Sequence, residues 1–286
     1  MKIFFIFGII LLLQPVFLAG QVLSGEQANS LFSALDGMFN AERPLTPEDE
    51  YYLGRAVAAN ILAVYKLYTV NTELTNYLNL ICQSLVINSS QLAVYNGYHV
   101  MILDSREPNA FSTPGGHIFL TKGLIDLVPS EDALAGIIAH ELAHIILKHG
   151  IKIIDDMKFT NEADIMAGQA AAFAGKSNMS ILSFRDSVNE IFNKMIKSGY
   201  SQPQEFEADN LAVKLLADAG YSPNGLLEIL NRLKTVQSGQ SGGIYSTHPS
   251  PVQRIVNIEG QIFLYRVADT RRLREDRFKK IMKRNL

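Results

Sequence analysis

The chain has 286 residues, of which 48% are hydrophobic and 19% are charged, and its formal net charge is -2. A chain of this length and composition can bury a substantial core, which excludes wholesale disorder. Without an overall basic charge, the sequence gives no electrostatic sign of a nucleic-acid partner, and we expect none.

The first twenty residues have the layout of a secretory signal peptide. Lys2 precedes an apolar run over 3–13, and small residues follow the run. The run is short for a membrane span, and Gln14-Pro15 interrupts it. We therefore expect residues 1–20 to be a cleaved signal peptide and 21–44 to be an N-terminal extension. An uncleaved signal anchor is the alternative.

Two helices are predicted next. Thr46 is a suitable N-cap for a helix that begins at Pro47, because the threonine oxygen accepts a free N–H of the first turn and proline fits there. The second helix, "NTELTNYLNLICQSLV", contains the single cysteine, Cys82, which we interpret as a buried thiol. One cysteine cannot form an internal disulfide. An exported protein of this kind fits the periplasm of a Gram-negative bacterium.

Two predicted strands flank a segment that contains glycine. The stretches "HVMILDS" (99–105) and "HIFLT" (117–121) read as strands, and "PNAFSTPGG" (108–116) lies between them. The last two residues of that segment are both glycine and predict a turn. Ser130 then caps a helix that we expect to end at Gly150, which would act as a left-handed C-cap.

The helix after Ser130 contains His140, Glu141 and His144 in the stretch "GIIAHELAHIILKHG". Residues four apart lie on the same helix face, so the two imidazoles can bind one metal ion. Glu141 lies to the side, where it can reach a water on the metal without being a ligand. The alternative is a pair of core histidines with ordinary hydrogen-bond partners. We expect His149, one turn further on, to be structural.

A catalytic zinc site usually has three protein ligands, and we expect the third from "EFEAD" (205–209). Glu205 and Asp209 share one face of a predicted helix. Glu205 would bind zinc, and Asp209 would accept the free ring N–H of a ligand histidine, which we expect to be His140. Glu207 points about 160° to 200° away on the helix and is expected to face solvent. A charged helix face without ligands is the alternative.

The stretches "HELAHIILKH", "EFEAD" and "THPSPVQRI" occur in this order and together resemble the zinc metallopeptidase family of HtpX and the CAAX prenyl protease. The resemblance covers about 53–258, and "NAFSTPGGHIFLTKGLI" (109–125) is most similar to the soluble periplasmic BepA-like branch. We expect no counterpart of the membrane helices of the first two proteins, nor of the helical-repeat tail of the BepA-like branch. The resemblance therefore does not imply prenylated substrates or delivery to an outer-membrane assembly machine.

The resemblance also implies roles for particular residues. It supports Glu205 as the third ligand. It implies that His248 either approaches the zinc as a fourth ligand in a resting state or stabilises the transition state together with Arg254. It further implies that the segment 109–120 pairs with an extended substrate at a sheet edge. The substrate contacts that we expect in this segment are Asn109, Ala110, Phe111, Gly115 and Gly116.

The expected fold is α+β: a mostly helical zincin metallopeptidase domain at 45–262, with a small β-sheet along the active-site cleft. A basic C-terminal helix at 263–286 would follow. We expect this helix to be solvated, with peripheral contact to an anionic membrane or to a partner as the alternative. The glycine-rich loop at 237–244 could supply the motion that removes a resting His248 from the zinc.

These observations predict a metalloendopeptidase with one Zn2+ per chain that cleaves unfolded or misassembled polypeptides of the cell envelope. A second hypothesis is a non-catalytic chaperone or adaptor that keeps zinc for stability. Structural zinc sites are usually closed by four ligands and rich in cysteine, which disfavours it. A third hypothesis is a metalloenzyme that acts on a small molecule, but an edge strand beside the site favours a chain-like substrate.

Overall fold

The computed structural model describes residues 44–87, 89, 94–160, 188–236, 244–248, 251–267 and 270–283. Within these residues the protein is mostly helical and has a small mixed sheet, which confirms the predicted α+β class. The strands are β1 (His99–Leu103), β2 (Ala110–Thr113) and β3 (His117–Thr121). The helices are α1 (Pro47–Val64), α2 (Thr72–Ile87), α3 (Lys122–Leu127), α4 (Glu131–Ile146), α5 (His149–Thr160), α6 (Gln202–Asp218), α7 (Asn224–Val236), α8 (Ile244–Thr247), α9 (Pro251–Ile262) and α10 (Arg271–Met282).

The sheet has the order β1-β3-β2, in which the central strand β3 is parallel to β1 and antiparallel to β2. Strand β2 is therefore at an edge of the sheet. The local pattern placed residues 110–113 in a connecting segment, and the structure corrects this. A strand of four residues is too short to show its period in the sequence. Their pairing with β3, which places Phe111 opposite Phe119, makes them one.

The N-terminal caps of α1 and α4 are confirmed. Thr46 and Asp49 form a capping box at α1, in which each side chain accepts the backbone N–H of the other residue. The hydroxyl oxygen of Ser130 accepts the N–H of Ala133 at the start of α4, 3.1 Å away. Each cap satisfies donors that the first turn of a helix leaves free, so the local sequence is enough to define both helix starts.

The predicted end of α4 is wrong by one turn. The helix ends at Ile146, and the residue in the left-handed conformation is Lys148, with φ 55°. Gly150 lies inside α5 instead. A Cβ at this position would lie 2.7 Å from the Met195 Cε atom. Gly150 therefore packs closely against a side chain that is distant in sequence, and this contact has no local signal.

Helix α4 is buried on all sides. Every residue from Glu131 to Ile145 is buried, and α4 packs against α6, α7 and the sheet. Gly225 allows the close approach of α7, because a Cβ there would lie 2.1 Å from the carbonyl oxygen of Asp132. Because an unpaired buried polar group is costly, each polar side chain of a fully buried helix needs a partner from the surrounding structure. The partners of the polar residues of α4 therefore define its role.

Helix α10 is attached to the start of α4. The Arg274 Nε and Asp132 Oδ1 atoms are 2.8 Å apart, and Arg277 Nε donates to Glu131 Oε2 at 2.8 Å. Phe278 is also buried. We expected a solvated basic helix, and this is wrong for the face that carries these three residues. The remaining basic side chains of α10 are exposed.

Parts of the predicted organisation lie outside the described residues. These are the signal peptide at 1–20, almost all of the extension at 21–44, and the glycine-rich loop over 237–243. Within the part of the chain that the structure describes, no helix combines the length and the apolar character needed to cross a membrane.

Candidate active site

Four buried side chains from three regions of the chain meet at one point. His140 and His144 come from α4, Glu205 comes from the first turn of α6, and His248 directly follows α8. Each offers one nitrogen or oxygen atom, and these four atoms all lie within 4.8 Å of one another. We call these four residues the donor group. The group contains the three residues that the sequence suggested as metal ligands, together with the histidine that the family resemblance added.

The spacing of the donor atoms fits a tetrahedral metal ion. Ligand atoms about 2.0–2.1 Å from a zinc ion at tetrahedral angles are roughly 3.3 Å from one another. The Nε2 atoms of His140 and His144 are 3.1 Å apart. Glu205 Oε2 lies 3.4 Å from the first nitrogen, and Glu205 Oε1 lies 3.3 Å from the second. The buried Oε2 atom of Glu205 accepts no hydrogen bond. The residues present therefore fit a zinc ion.

The local structure explains why these side chains converge. His140 and His144 are one turn apart on α4, so their rings project from the same face. Ser201 and Gln204 form a capping box that begins α6 immediately before Glu205. Helices α4 and α6 are in extensive contact, so the first turn of α6 faces the two histidines. The sequence defines each helix, and their packing brings the ligands together.

Glu141 lies beside this group. Its Oε1 atom is 3.7 Å from His248 Nε2, and its buried Oε2 atom has no hydrogen-bond partner. A carboxylate oxygen that is buried without a partner is costly unless a ligand, water or ion completes its environment. The position and the free oxygen of Glu141 would allow it to exchange a proton with a water molecule at the donor group.

Asp209 contacts the outer side of His140. The Asp209 Oδ1 and His140 Nδ1 atoms are 3.0 Å apart. Arg254 Nη2 donates to Asp209 Oδ1 at 2.6 Å, and Arg254 Nε donates to Oδ2 at 2.9 Å. Burial alone would raise the pKa of Asp209, but the charge of Arg254 and hydrogen bonds from Arg254 and His140 outweigh burial and lower the pKa. Asp209 is therefore held as a carboxylate that orients the His140 ring.

Burial and neighbouring charges together determine the protonation of the ligand side chains. Burial alone would raise the pKa of Glu205, yet the nearby charges of His248, Arg254 and His140 lower it well below its ordinary value. Burial lowers the pKa of His144 well below its usual range. Glu205 is therefore an anion and His144 a neutral ring, which are the forms that bind a metal ion. At His140, burial and the charge of Arg254 would lower the pKa. Glu205 and Asp209 outweigh both and raise the pKa of this ring to about 9, so it loses a proton when it binds a metal ion.

His248 occupies the fourth position of the group. Its Nδ1 atom is 2.8 Å from Glu205 Oε1 and 3.4 Å from His140 Nε2. The Thr247 hydroxyl, one residue earlier, donates to the side-chain oxygen of Asn109 at 3.2 Å. This bond ties the residue before His248 to the start of strand β2. The histidine lies where a fourth ligand, or a substrate carbonyl, would approach a metal ion.

Comparison with known proteins agrees with this geometry. The family model for peptidase family M48 matches residues 73–262, which is more than half of the chain. The chain belongs to peptidase family M48. The match includes every residue of the donor group, together with Glu141, Asp209 and Arg254.

Among the proteins to which this M48 chain is similar are three proteases from two organisms. It is 28% identical to metalloprotease LoiP of Escherichia coli (strain K12) over 158 residues, covering 55% of this chain and 60% of LoiP. It is 27% identical to the mitochondrial metalloendopeptidase OMA1 of Schizosaccharomyces pombe over 164 residues, covering 57% and 46%. It is 25% identical to the beta-barrel assembly-enhancing protease of Escherichia coli (strain K12) over 193 residues, covering 64% and 38%. The alignments thus span roughly two-fifths to three-fifths of these relatives.

The segment expected to contact substrate is used mainly for packing in this M48 chain. Phe111 is part of a buried apolar cluster, and the side-chain oxygen of Asn109 accepts the N–H of Ala110 at 2.9 Å. Gly115 and Gly116 have φ of 74° and 110°, and a Cβ on either would lie within 2.4 Å of another backbone atom. The side chains of this segment are therefore committed to packing, and all four residues of β2 are buried.

Sequence reasoning missed Tyr200. Its ring stacks on His144, with ring centroids 4.0 Å apart and planes 15° from parallel. The tyrosine precedes α6 and has no spacing relationship to the motif, so no local signal links it to His144. The outer Nδ1 atom of His144 lies 2.9 Å from His149 Nδ1. His144 is therefore held by a ring stack and by a second histidine.

Proposed function

We propose that this M48 chain is a zinc-dependent metalloendopeptidase that cleaves unfolded or misassembled polypeptides in the cell envelope. The observation that carries the proposal is the convergence of His140, His144 and Glu205 at zinc-ligand spacing, with Glu141 beside them. The M48 membership supports it, as do the names of the relatives, which are a metalloprotease, a metalloendopeptidase and a protease.

His140, His144 and Glu205 would hold the zinc ion. When bound, zinc lowers the pKa of a water molecule and polarises a peptide carbonyl. Glu141 accepts the proton of the attacking water through its free carboxylate oxygen and later delivers it to the leaving amine. Among the buried side-chain nitrogen and oxygen atoms of the described residues, four have no hydrogen-bond partner, and two of these four, Glu141 Oε2 and Glu205 Oε2, are on these carboxylates. This supports their use for catalysis and for metal binding.

Arg254 and His248 would act around the ligands. Arg254 directs its donors to Asp209 and lies 3.3 Å from Glu205 Oε2, which supports a role in holding both carboxylates in place. Sequence reasoning assigned Arg254 to the oxyanion of the transition state. Because its guanidinium is committed to these carboxylates, we assign Arg254 to holding them in place. Of the two roles that the family resemblance offered for His248, we take the resting contact with the site.

We further propose that His248 blocks the site at rest. The 2.8 Å contact of its Nδ1 atom with Glu205 motivates this, since a substrate carbonyl must approach the same region. Movement of the segment around α8 would then expose the metal. If so, His248→Ala has higher activity than the wild type on an unfolded substrate. Equal or lower activity of the variant contradicts the block.

A polypeptide substrate would bind by adding a strand to the sheet. Strand β2 is at the edge, and its neighbour α8 leads directly to His248. Backbone pairing recognises any extended chain, which suits unfolded proteins. The signal-like segment at 1–20 and the similarity to a protease named for beta-barrel assembly support a location in the envelope, as in the periplasm of a Gram-negative bacterium. The exposed basic side chains of α10 would allow peripheral contact with an anionic membrane.

The experiment that tests the proposal combines metal analysis with proteolysis. The full-length gene is expressed, and the exported product is purified as wild type, Glu141→Gln and His248→Ala. We expect about one zinc per chain in all three. Wild type or His248→Ala should cleave casein in a chelator-sensitive reaction, whereas Glu141→Gln should lose at least about a hundredfold in rate. Zinc in all three proteins without cleavage by any would favour the non-catalytic scaffold, and no zinc in the wild type would exclude the proposed site.

A further inference from the structure

The outer face of His144 is linked to a second polar chain that the proposed mechanism does not use. His144 Nε2 faces the donor group, 3.1 Å from His140 Nε2, while its Nδ1 atom lies 2.9 Å from His149 Nδ1. On the other side of the second ring, His149 Nε2 lies 3.1 Å from Glu207 Oε2. His149 is fully buried. Three side chains thus connect the donor group to the surface of α6.

The hydrogen-bond chemistry of these atoms has one consistent solution when His144 Nε2 binds a metal ion. A neutral imidazole that uses Nε2 as a ligand has its proton on Nδ1. That N–H can only donate to His149 Nδ1, which must therefore be unprotonated. The proton of His149 is then on Nε2 and donates to the Glu207 carboxylate. Each donor has one acceptor, and the tautomer of both rings follows.

We propose that His149 and Glu207 are positioning residues for His144: together they fix its metal-binding tautomer and ring orientation. The proposal rests on the zinc site proposed above and goes beyond it, since neither residue touches the metal or the substrate. His140 has the equivalent support directly, from Asp209 at 3.0 Å. A carboxylate behind a ligand histidine orients the ring and raises its basicity.

Helix geometry explains why His144 needs an intermediate residue. Glu205, Glu207 and Asp209 follow one another at alternate positions of α6, and adjacent members of such a series project about 200° apart. Glu207 therefore points away from the face of Glu205 and cannot reach His144 itself. The sequence correctly predicted that Glu207 faces solvent, since its side chain is 54% exposed, but the contact with His149 was not foreseen.

The turn between α4 and α5 delivers the intermediate residue. Lys148 has φ 55°, and this left-handed residue separates α4 from α5, which begins at His149. His149 then lies beside His144, five residues earlier, rather than one turn further along a continuous helix. The end of α4 at Ile146 is thus the feature that places His149 behind the ligand His144.

Lys152 Nζ lies 3.6 Å from Glu207 Oε2 but is not part of the chain from His144 to Glu207. A substitution of Lys152 is therefore a matched control for the variants of Glu207.

The first measurement is of the tautomers. The full chain is labelled with 15N-histidine, loaded with zinc and examined by NMR at pH 7.5, with signals assigned from single-histidine variants. We expect His144 to have its proton on Nδ1 and His149 to have its proton on Nε2. A zinc-loaded protein in which His149 has its proton on Nδ1 overturns the proposal, because Nδ1 could then not accept from His144.

The second measurement is of zinc affinity, by competition with a chelator of known affinity. His149→Phe keeps a ring and removes both nitrogens, and we expect the zinc Kd to rise by about 10- to 100-fold. Glu207→Ala should raise the Kd by roughly tenfold, whereas Glu207→Gln should stay within about threefold, since its amide oxygen still accepts from His149. Lys152→Gln leaves the hydrogen-bonded chain intact and should leave the Kd unchanged.

The outcomes separate this proposal from the proposed function. Zinc binding by the wild type with equal Kd in Glu207→Ala and Glu207→Gln overturns the positioning role and leaves the metalloendopeptidase in place. No zinc binding by the wild type overturns both. The half-exposed position of Glu207 makes its variants suitable if His149→Phe fails to fold. Melting temperatures of the metal-free variants show whether a substitution only weakens folding. An effect on folding alone would lower the melting temperature without the difference in zinc Kd between Glu207→Ala and Glu207→Gln.

Discussion

At the scale of single residues, burial of ionisable groups separates two kinds of histidine. His140 and His144 are buried among polar side chains, and the Nδ1 atom of each ring lies within hydrogen-bond distance of one of them. His117 is buried differently: its ring stacks on Tyr51, with centroids 5.5 Å apart, and its Nδ1 atom lies 3.4 Å from the Thr113 hydroxyl. Burial, together with the charges of His99 and Arg55, lowers the pKa of His117 to about 4.

The first prediction concerns the stability contributed by neutral His117. In the unfolded chain the ring takes up a proton near its ordinary pKa of about 6.5, while the folded ring does so only near 4. The unfolded state therefore binds more protons between these values, and stability falls as pH falls. We expect this residue to lower the free energy of unfolding by about 2 kcal/mol between pH 7 and pH 5.

Urea unfolding at several pH values measures this effect. His117→Gln cannot titrate and should show a correspondingly smaller loss of stability between pH 7 and pH 5. His99→Gln removes a smaller cause of the shift and leaves His117 buried, so this control should keep most of the pH dependence of the wild type. Identical pH dependence in His117→Gln and wild type would show that burial does not shift the titration of His117.

At the scale of elements, glycine allows close packing against α4, the ligand helix that contains His140 and His144. Gly225, at the start of α7, lies against the backbone of the first turn of α4, and an added Cβ would be 2.1 Å from the Asp132 carbonyl oxygen. Gly54 in α1 has the same function beside the turn after β2, where a Cβ would be 1.7 Å from the Pro114 carbonyl oxygen. Backbone atoms cannot rotate away from such contacts, so the helices themselves must move.

The second prediction compares two glycine-to-alanine changes. Gly225→Ala should destabilise the protein by about 2–4 kcal/mol, because overpacking against backbone shifts whole helices. Gly260→Ala, in α9, meets nothing within 4 Å and should stabilise by up to about 1 kcal/mol through better helix propensity. Thermal unfolding followed by circular dichroism measures both. A Gly225→Ala protein as stable as Gly260→Ala would show that α7 adapts to a side chain without cost.

At the scale of the whole molecule, the C-terminal helix completes the structure that supports the metal site. Arg274 of α10 is buried against Asp132, in the first turn of the helix that contains His140 and His144. The opposite end of the same helix is followed by His149, the first residue of α5. The ligand helix is thus supported at both ends by groups from other parts of the chain, and the two supports differ in chemistry.

The third prediction concerns this C-terminal attachment. Arg274→Ala leaves the buried Asp132 carboxylate without its cation, and we expect a loss of about 3–5 kcal/mol in the free energy of unfolding. Lys280→Ala changes an exposed residue of the same helix and should stay within about 0.5 kcal/mol. Chemical denaturation provides both values. Equal stability of the two variants would mean that α10 is not attached through Arg274.

The fourth prediction uses Cys82 as a reporter of global unfolding. This single cysteine is fully buried in the larger apolar core, and burial raises the pKa of its thiol to about 12. Because the thiolate is the reactive form, the native thiol should react with Ellman's reagent at pH 8 at least about a thousandfold more slowly than in urea. Cys82→Ser gives the blank. Fast reaction of the native protein would indicate that the core around α2 opens locally.

The sequence by itself determined the features that depend on neighbouring residues. The helix starts at Thr46 and Ser130 follow from local capping, and the shared face of His140 and His144 follows from the pitch of a helix. The M48 family was recognisable for the same reason, since its motifs are short and contiguous. Glu205 and Asp209 were identified as a pair by the same four-residue spacing.

Only the tertiary structure decided the features that depend on contacts between distant residues. His248 meets His140 across 108 residues of chain, and His149 meets Glu207 across 58. Strand β2, the early end of α4 and the stack of Tyr200 on His144 also arise from packing. No local period encodes these contacts, because each depends on how helices of defined sequence pack against one another. The sequence therefore determined the candidate ligands, and the packed fold determined what holds them in place.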